Sequence, residues 1–143
     1  MTTWLLLHYK LPSKPTALRV YIWRKLKRMG AILLHEAVWV LPDKARTAEQ
    51  VQWLAAEIQE MGGHAYYWRA NSILGEQEES IVQQFQEQMD AVYSDLLKRM
   101  KRPRVDLQEI SKLYQQAASQ DFFKSKLGLL VREKLTSKRG EKP

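Results

Sequence analysis

Four cations, Arg24, Lys25, Lys27 and Arg28, crowd a five-residue stretch that contains no acidic side chain. On a helix, with successive residues 100° apart, they turn away from an apolar arc made by Leu18, Ile22, Leu26 and Met29 and widened by Trp23 and Val20. No carboxylate sits three or four residues from any of them to form a local ion pair, so solvent or a bound phosphate must relieve their repulsion. The negative end of the helix dipole is a competing account, because part of the run falls in the last turn. A second cluster, Lys98, Arg99, Lys101, Arg102 and Arg104, follows an acidic stretch holding Glu76, Glu78, Glu79, Glu87, Asp90 and Asp95. That acid-first order suits a helix macrodipole as well as it suits a ligand. Lys124, Lys126, Arg132, Lys134, Lys138 and Arg139 form a third set, which reads as a solvated face or as an extension of a phosphate-contacting surface.

Catalytic and metal chemistry find little support. There is no cysteine, which excludes disulfides, thiolate nucleophiles, zinc ribbons and iron–sulfur ligation. The three histidines, His8, His35 and His64, have no metal-ligand spacing, and no His-Glu-x-x-His, Walker, Gly-x-Gly-x-x-Gly or nucleophile-elbow pattern occurs. A non-enzyme without metal or cofactor is expected. Five Trp and six Tyr make the chain rich in rings, and those of Tyr66-Tyr67-Trp68 must alternate between the two faces of a strand. A ring on the open face suits a dimer interface or core position, or the stacking of a nucleobase. Trp39 and Trp53 carry the same ambiguity.

The elements that must position these residues follow from periodicity. Trp4 to Tyr9 is a short apolar run closed by Leu11-Pro12-Ser13-Lys14-Pro15, a strand and a turn. A helix spans Thr16 to Met29, with Gly30 where a left-handed C-terminal residue belongs. Ala31–Leu34 and Ala37–Leu41 read as a hairpin that Pro42-Asp43 ends. Thr47 and Gln50 suggest a capping box before a helical stripe of Val51, Leu54, Ala55, Ile58 and Met61, which stops at Gly62-Gly63. His64 to Trp68 supplies a last strand. The order is βαββαβ, which a ferredoxin-like sandwich of the α+β class requires.

Beyond residue 72 the pattern becomes wholly helical. Ile81, Phe85, Met89, Val92, Leu96 and Met100 mark one long helix from Glu76 to Arg102 that Pro103 stops. A second runs from Asp106 through Leu107, Ile110, Leu113 and Ala117, and Asp121 caps a further segment reaching Leu135, with Gly128 as its weak point. The expected organisation is a sandwich over 1–72, a helical extension packed on it over 73–137, and a loose tail over 138–143.

The 143 residues hold 23 Lys and Arg against 16 Asp and Glu, a net charge of +7 that favours polyanionic partners such as nucleic acid or an anionic membrane surface. The longest early apolar stretch, Trp4–Leu7, is too short for a secretory signal, and no stretch approaches a membrane span. A cytoplasmic location is the default.

Several segments together resemble a known family. Trp4-Leu5-Leu6-Leu7, Tyr9-Lys10-Leu11-Pro12, Arg19-Val20, Trp23 through Ala31 and Val38-Trp39-Val40-Leu41-Pro42 look like the amino-terminal domain of ChrB, the chromate resistance regulatory protein. Tyr67-Trp68-Arg69-Ala70, the long helix and Asp121-Phe122-Phe123 continue the likeness. The resemblance implies a transcriptional regulator of a chromate-efflux operon, ferredoxin-like with added carboxyl-terminal helices, and a homodimer. Typical ChrB proteins continue into a second domain that this sequence does not include. The resemblance places Arg19, Arg24, Lys25, Lys27 and Arg28 in the family's basic first-helix segment, and charge adds contact with DNA, to which Lys98, Arg99, Lys101 and Arg102 are joined as candidates. The βαββαβ order, with Leu26 and Gly30 closing the first helix, also looks like the small CRISPR adaptation nucleases and the middle domain of phenylacetate-type repressors. Those nucleases carry a metal-binding Asp at the end of the first strand, where this chain has Lys10, a cation that would repel the divalent ion. Two other classes stay open: a protein-interaction module without DNA binding, and a chromate- or oxyanion-binding protein with an Arg/Lys pocket.

Overall fold

The computed structural model describes residues 2–36 and 38–140. Its elements run β1 (Trp4–Lys10), α1 (Thr16–Met29), β2 (Ile32–His35), β3 (Val38–Pro42), α2 (Ala45–Glu60), β4 (His64–Ala70), α3 (Gly75–Met100), α4 (Leu107–Ser119) and α5 (Lys126–Gly140). The chain divides into two compact units, one ending at Glu78 and the other beginning at Glu79.

The first unit is an α+β structure with one four-stranded antiparallel sheet in the order β2-β3-β1-β4. The two strands joined by a turn are neighbours, while α1 and α2 carry the chain across an intervening strand. Because side chains alternate along a strand, the register sorts the residues onto two faces. Leu5, Leu7, Trp39, Leu41 and Ala65 share one face, and Leu6, His8, Val40, Tyr66 and Trp68 share the other. Helix α2 lies along β4, and Ala65 is the buried residue of that strand, so the Ala65 face meets the helix layer and Tyr66 and Trp68 point away.

Helix α1 ends as expected. Gly30 adopts φ 85°, and the N–H groups of Gly30 and Ala31 bond the carbonyls of Lys27 and Leu26 at 3.1 Å, closing the final turn. Leu18, Ile22, Leu26 and Met29 point inward. Val20 and Trp23, expected on the same apolar arc, are instead 41% and 50% exposed. At 100° per residue Trp23 lies about 100° and Val20 about 160° around the helix from Ile22, so neither belongs to the side that Ile22 and Leu26 bury, and a two-layer structure buries only one side of a covering helix. Helix α2 begins at Ala45, two residues before Thr47. The buried Thr47 hydroxyl reaches backward, accepting the Lys44 N–H at 2.9 Å and donating to the Pro42 carbonyl at 2.5 Å.

The second unit is helical, with a core of Met89, Tyr93, Leu96, Met100, Ile110, Ala117, Val131 and Leu135. Val92 leaves the stripe read from sequence for solvent, and its neighbour Tyr93 enters the core. Phe122 and Phe123 pack against Phe85, with ring centroids 5.9 and 5.7 Å apart. Asp106 caps α4 by accepting the N–H groups of Gln108 and Glu109 at 3.0 and 3.1 Å. Asp121 accepts the Ser125 N–H and the Tyr93 hydroxyl, both at 3.0 Å, and the Ser125 hydroxyl bonds Asp90. Burial, first, and then Asp121 push the Tyr93 phenol above its ordinary range. Gly128 is no weak point: α5 runs through it, and a Cβ there would stand 2.9 Å from the Tyr93 ring. Nor is Lys138 part of a loose tail, since it is helical and its ammonium donates to the Met100 carbonyl at 2.8 Å. Residues 141–143 of the expected tail, Ala37 of the expected hairpin and the Arg139 side chain lie outside what is described.

Candidate nucleic-acid interface

Helix α1 displays its cations at different bearings. Arg24 and Arg28 are one turn apart, Lys27 lies between them along the axis, and all three are exposed. Arg19 is also exposed but points about 140° away from Arg24, five residues earlier on the helix. Arg19 and Arg24 form no ion pair among the described residues. The Lys27 ammonium lies 5.9 Å from the centroid of the Trp23 ring, so this exposed indole shares the outer surface with the cations.

Lys25 departs from this set. It points toward α2, where its Nζ stands 2.7 Å from Oε1 of Glu57, and Tyr21 donates its hydroxyl to Oε2 of the same carboxylate at 2.5 Å. The ammonium also lies 5.1 Å from the Tyr21 ring centroid. Burial pushes the Glu57 carboxyl upward, but the hydrogen bonds from Lys25 and Tyr21 outweigh it and hold the group below its usual range. Lys25 is raised, chiefly by its bond to Glu57 and then by Tyr21. The helix is therefore not without internal neutralisation: the carboxylate comes from 32 residues downstream, beyond the reach of any spacing rule.

In the second unit, Lys98 and Arg99 occupy the last turn of α3, while Lys101 and Arg102 follow it. Arg99 pairs with Asp95 one turn back, Nε to Oδ2 at 3.0 Å. Lys98, Lys101 and Arg102 are exposed. The carbonyl end of this helix is collected by the Lys98–Lys101 and Arg99–Arg102 backbone bonds at 3.2 Å and by Lys138. That arrangement is dipole compensation made concrete, and it accounts for much of the cluster without a ligand. Of the third set, Lys124, Lys126, Arg132 and Lys134 are exposed.

Sequence reasoning missed Glu57, Tyr21 and Lys138, whose roles come from tertiary neighbours. A signal existed for Glu57 alone: Lys25 sits at the edge of the α1 apolar arc, where a covering helix places its own side chains.

Among the described residues, no group of three or more His, Asp or Glu side chains could hold a metal ion. No helix among them is long and apolar enough to cross a membrane.

No curated protein and no solved structure matches the chain. A family model described as "Protein ChrB, N-terminal" matches residues 19–122, from the first cation of α1 to the first of the two phenylalanines beyond α4. That match takes in the basic helix, the last three strands and both central helices of the second unit, so the chain belongs to the ChrB amino-terminal family.

Proposed function

We propose that the chain is a DNA-binding transcriptional regulator linked to chromate resistance, acting as a cytoplasmic homodimer. The observation that carries this reading is the outward row Arg24, Lys27 and Arg28, displayed by an ordered helix whose opposite face is locked into the core by Ile22 and Leu26. A rigid display of exposed cations holds phosphates at low entropic cost, and it fixes the position of a duplex without reading its bases. Arg19 and the exposed Lys98, Lys101 and Arg102 are further phosphate contacts in this reading. Lys25 and Arg99 are committed to Glu57 and Asp95 and act as positioning residues. The scaffold reads as a ferredoxin-like sandwich, supported by the strand order β2-β3-β1-β4 and the helical crossovers between β1 and β2 and between β3 and β4.

Gel-shift titration against operator-containing duplex at two salt concentrations tests this. Arg24→Ala combined with Arg28→Ala weakens binding similarly on all sequences and flattens the log–log salt dependence by about 0.9 for each phosphate that the variant no longer neutralises. Unchanged affinity and slope in that double variant would sink the assignment.

A further inference from the structure

The sheet face turned away from α1 and α2 carries a ring surface that neither the family nor the basic helix explains. Tyr66 and Trp68 project from β4, next to β1 in the sheet, and are 58% and 55% exposed. His8 of β1 pairs in register with Tyr66 and sits diagonally from Trp68. The Trp68 Nε1–H donates to His8 Nε2 at 2.8 Å, and the two ring planes differ by only 8°, with centroids 6.2 Å apart. The indole N–H and the imidazole lone pair both lie in their ring planes, so such a bond joins the rings edge to edge. The pair makes one flat π surface of about the extent of a base pair. Tyr66 stacks beside the pair, its ring centroid 5.4 Å from that of His8 and its plane tilted by 21°.

The electrostatics of this face point to an anion. Lys10 and His64 are paired in register on the same side, one step beyond His8 and Tyr66, and both are exposed. The four strands contain no Asp or Glu, and of their two cations besides the histidines Lys10 lies on this face, while Arg69, in register with Leu5, lies on the opposite face and is paired with Asp43 at 2.8 Å. A ligand that offers flat rings to the indole–imidazole surface and a negative charge to Lys10 is a nucleotide chain. In a duplex the faces of the bases are hidden by stacking, so the chain must be unpaired.

We infer that the strip formed by Trp68, His8, Tyr66 and Lys10 binds single-stranded nucleic acid, stacking its bases and holding a phosphate at Lys10. This site is separate from the α1 row and does not depend on the duplex reading of that row.

Fluorescence anisotropy with a fluorescein-labelled oligothymidylate of about ten nucleotides tests it, a length within the range of about 4–16 nucleotides that a single-strand-binding domain occupies. The native chain binds the probe. Trp68→Ala and Tyr66→Ala each weaken binding roughly tenfold with thermal unfolding unchanged, while Trp68→Phe keeps most of the affinity because stacking needs only a ring. Lys10→Gln lowers the salt slope by about 0.7, the value of one single-strand phosphate contact. Arg24→Ala with Arg28→Ala leaves oligothymidylate binding intact, so failure of the duplex reading and failure of this one are told apart. The inference is overturned if the native chain does not bind the probe, or if folded Trp68→Ala binds as tightly as native. It is equally overturned if Trp68→Ala turns a dimer into a monomer without changing probe binding, which would assign the face to a second copy of the chain.

Discussion

The Lys25 ammonium stands 2.7 Å from the Glu57 carboxylate, which also accepts the Tyr21 hydroxyl, and the three side chains bind α1 to α2 across the outside of the helix layer. A cation spent on an internal carboxylate is a poor phosphate ligand. Both ends of the bridge are about a third exposed, so its contribution to stability is small, about 0.5 kcal/mol after screening by solvent.

Lys25→Ala therefore leaves duplex affinity and salt slope near native, in contrast to Arg24→Ala. The pH dependence has a defined sign. Glu57 is held below its unfolded value, so its contribution is complete above the ordinary carboxylate range and is lost as pH falls through the lower folded value. Lys25 is raised, so its share persists at neutral pH and is lost only as pH rises through its elevated value. Urea unfolding of Glu57→Gln between acid and neutral pH shows a shallower acid limb than native, and an identical limb would contradict the assignment.

Two neighbours in α1 separate core from surface. Ile22 is fully buried and its truncation to alanine costs about 2–5 kcal/mol, the range for deleting buried aliphatic groups. Trp23→Leu, although it removes the larger side chain, changes stability by less than about 1 kcal/mol, because the indole is half in water. Thermal unfolding of both variants checks the contrast; a Trp23 loss as large as the Ile22 loss would place the indole in the core.

Gly128 and Tyr93 are matched in size. Gly128→Ala presses a methyl group against a fully buried ring at 2.9 Å and destabilises the second unit by about 1–3 kcal/mol, even though alanine is the better helix former. Differential scanning calorimetry measures the loss, and a stabilised variant would mean the ring has room to retreat.

Tyr93 itself gives an alkaline signature. Its folded value lies above the unfolded phenol value of about 10, so the folded state keeps a proton that the unfolded state releases, and stability declines as pH rises past that point. Tyr93→Phe loses the bond to Asp121, costs about 1 kcal/mol at neutral pH, and flattens that alkaline decline. A decline as steep as native would assign the effect to other groups.

Asp106→Ala leaves two N–H groups of α4 without their acceptor and costs about 1 kcal/mol. Restoration by Asp106→Ser, measured as recovery of the unfolding midpoint, separates capping from charge.

Much of the fold is written in short-range pattern. Strand and helix periods, the Gly30 stop, the Asp106 cap and the long run to Met100 depend on neighbours within about four residues, and they place the elements within a few positions of their observed spans, except α5, which begins at Lys126 rather than at an Asp121 cap and ends beyond Leu135. The cationic identity of α1 is equally local. Tertiary structure decided that Lys25 is spent on an internal carboxylate, because Glu57 and Lys25 meet only when two helices pack side by side, and no spacing encodes that meeting. It also decided that Trp23 faces water, that Gly128 admits a ring rather than weakening a helix, and that His8 and Trp68, 60 residues apart, join into one surface. Local free energies select elements, but the partner of a polar or aromatic group is chosen by the packing of those elements against one another, which depends on the whole chain at once.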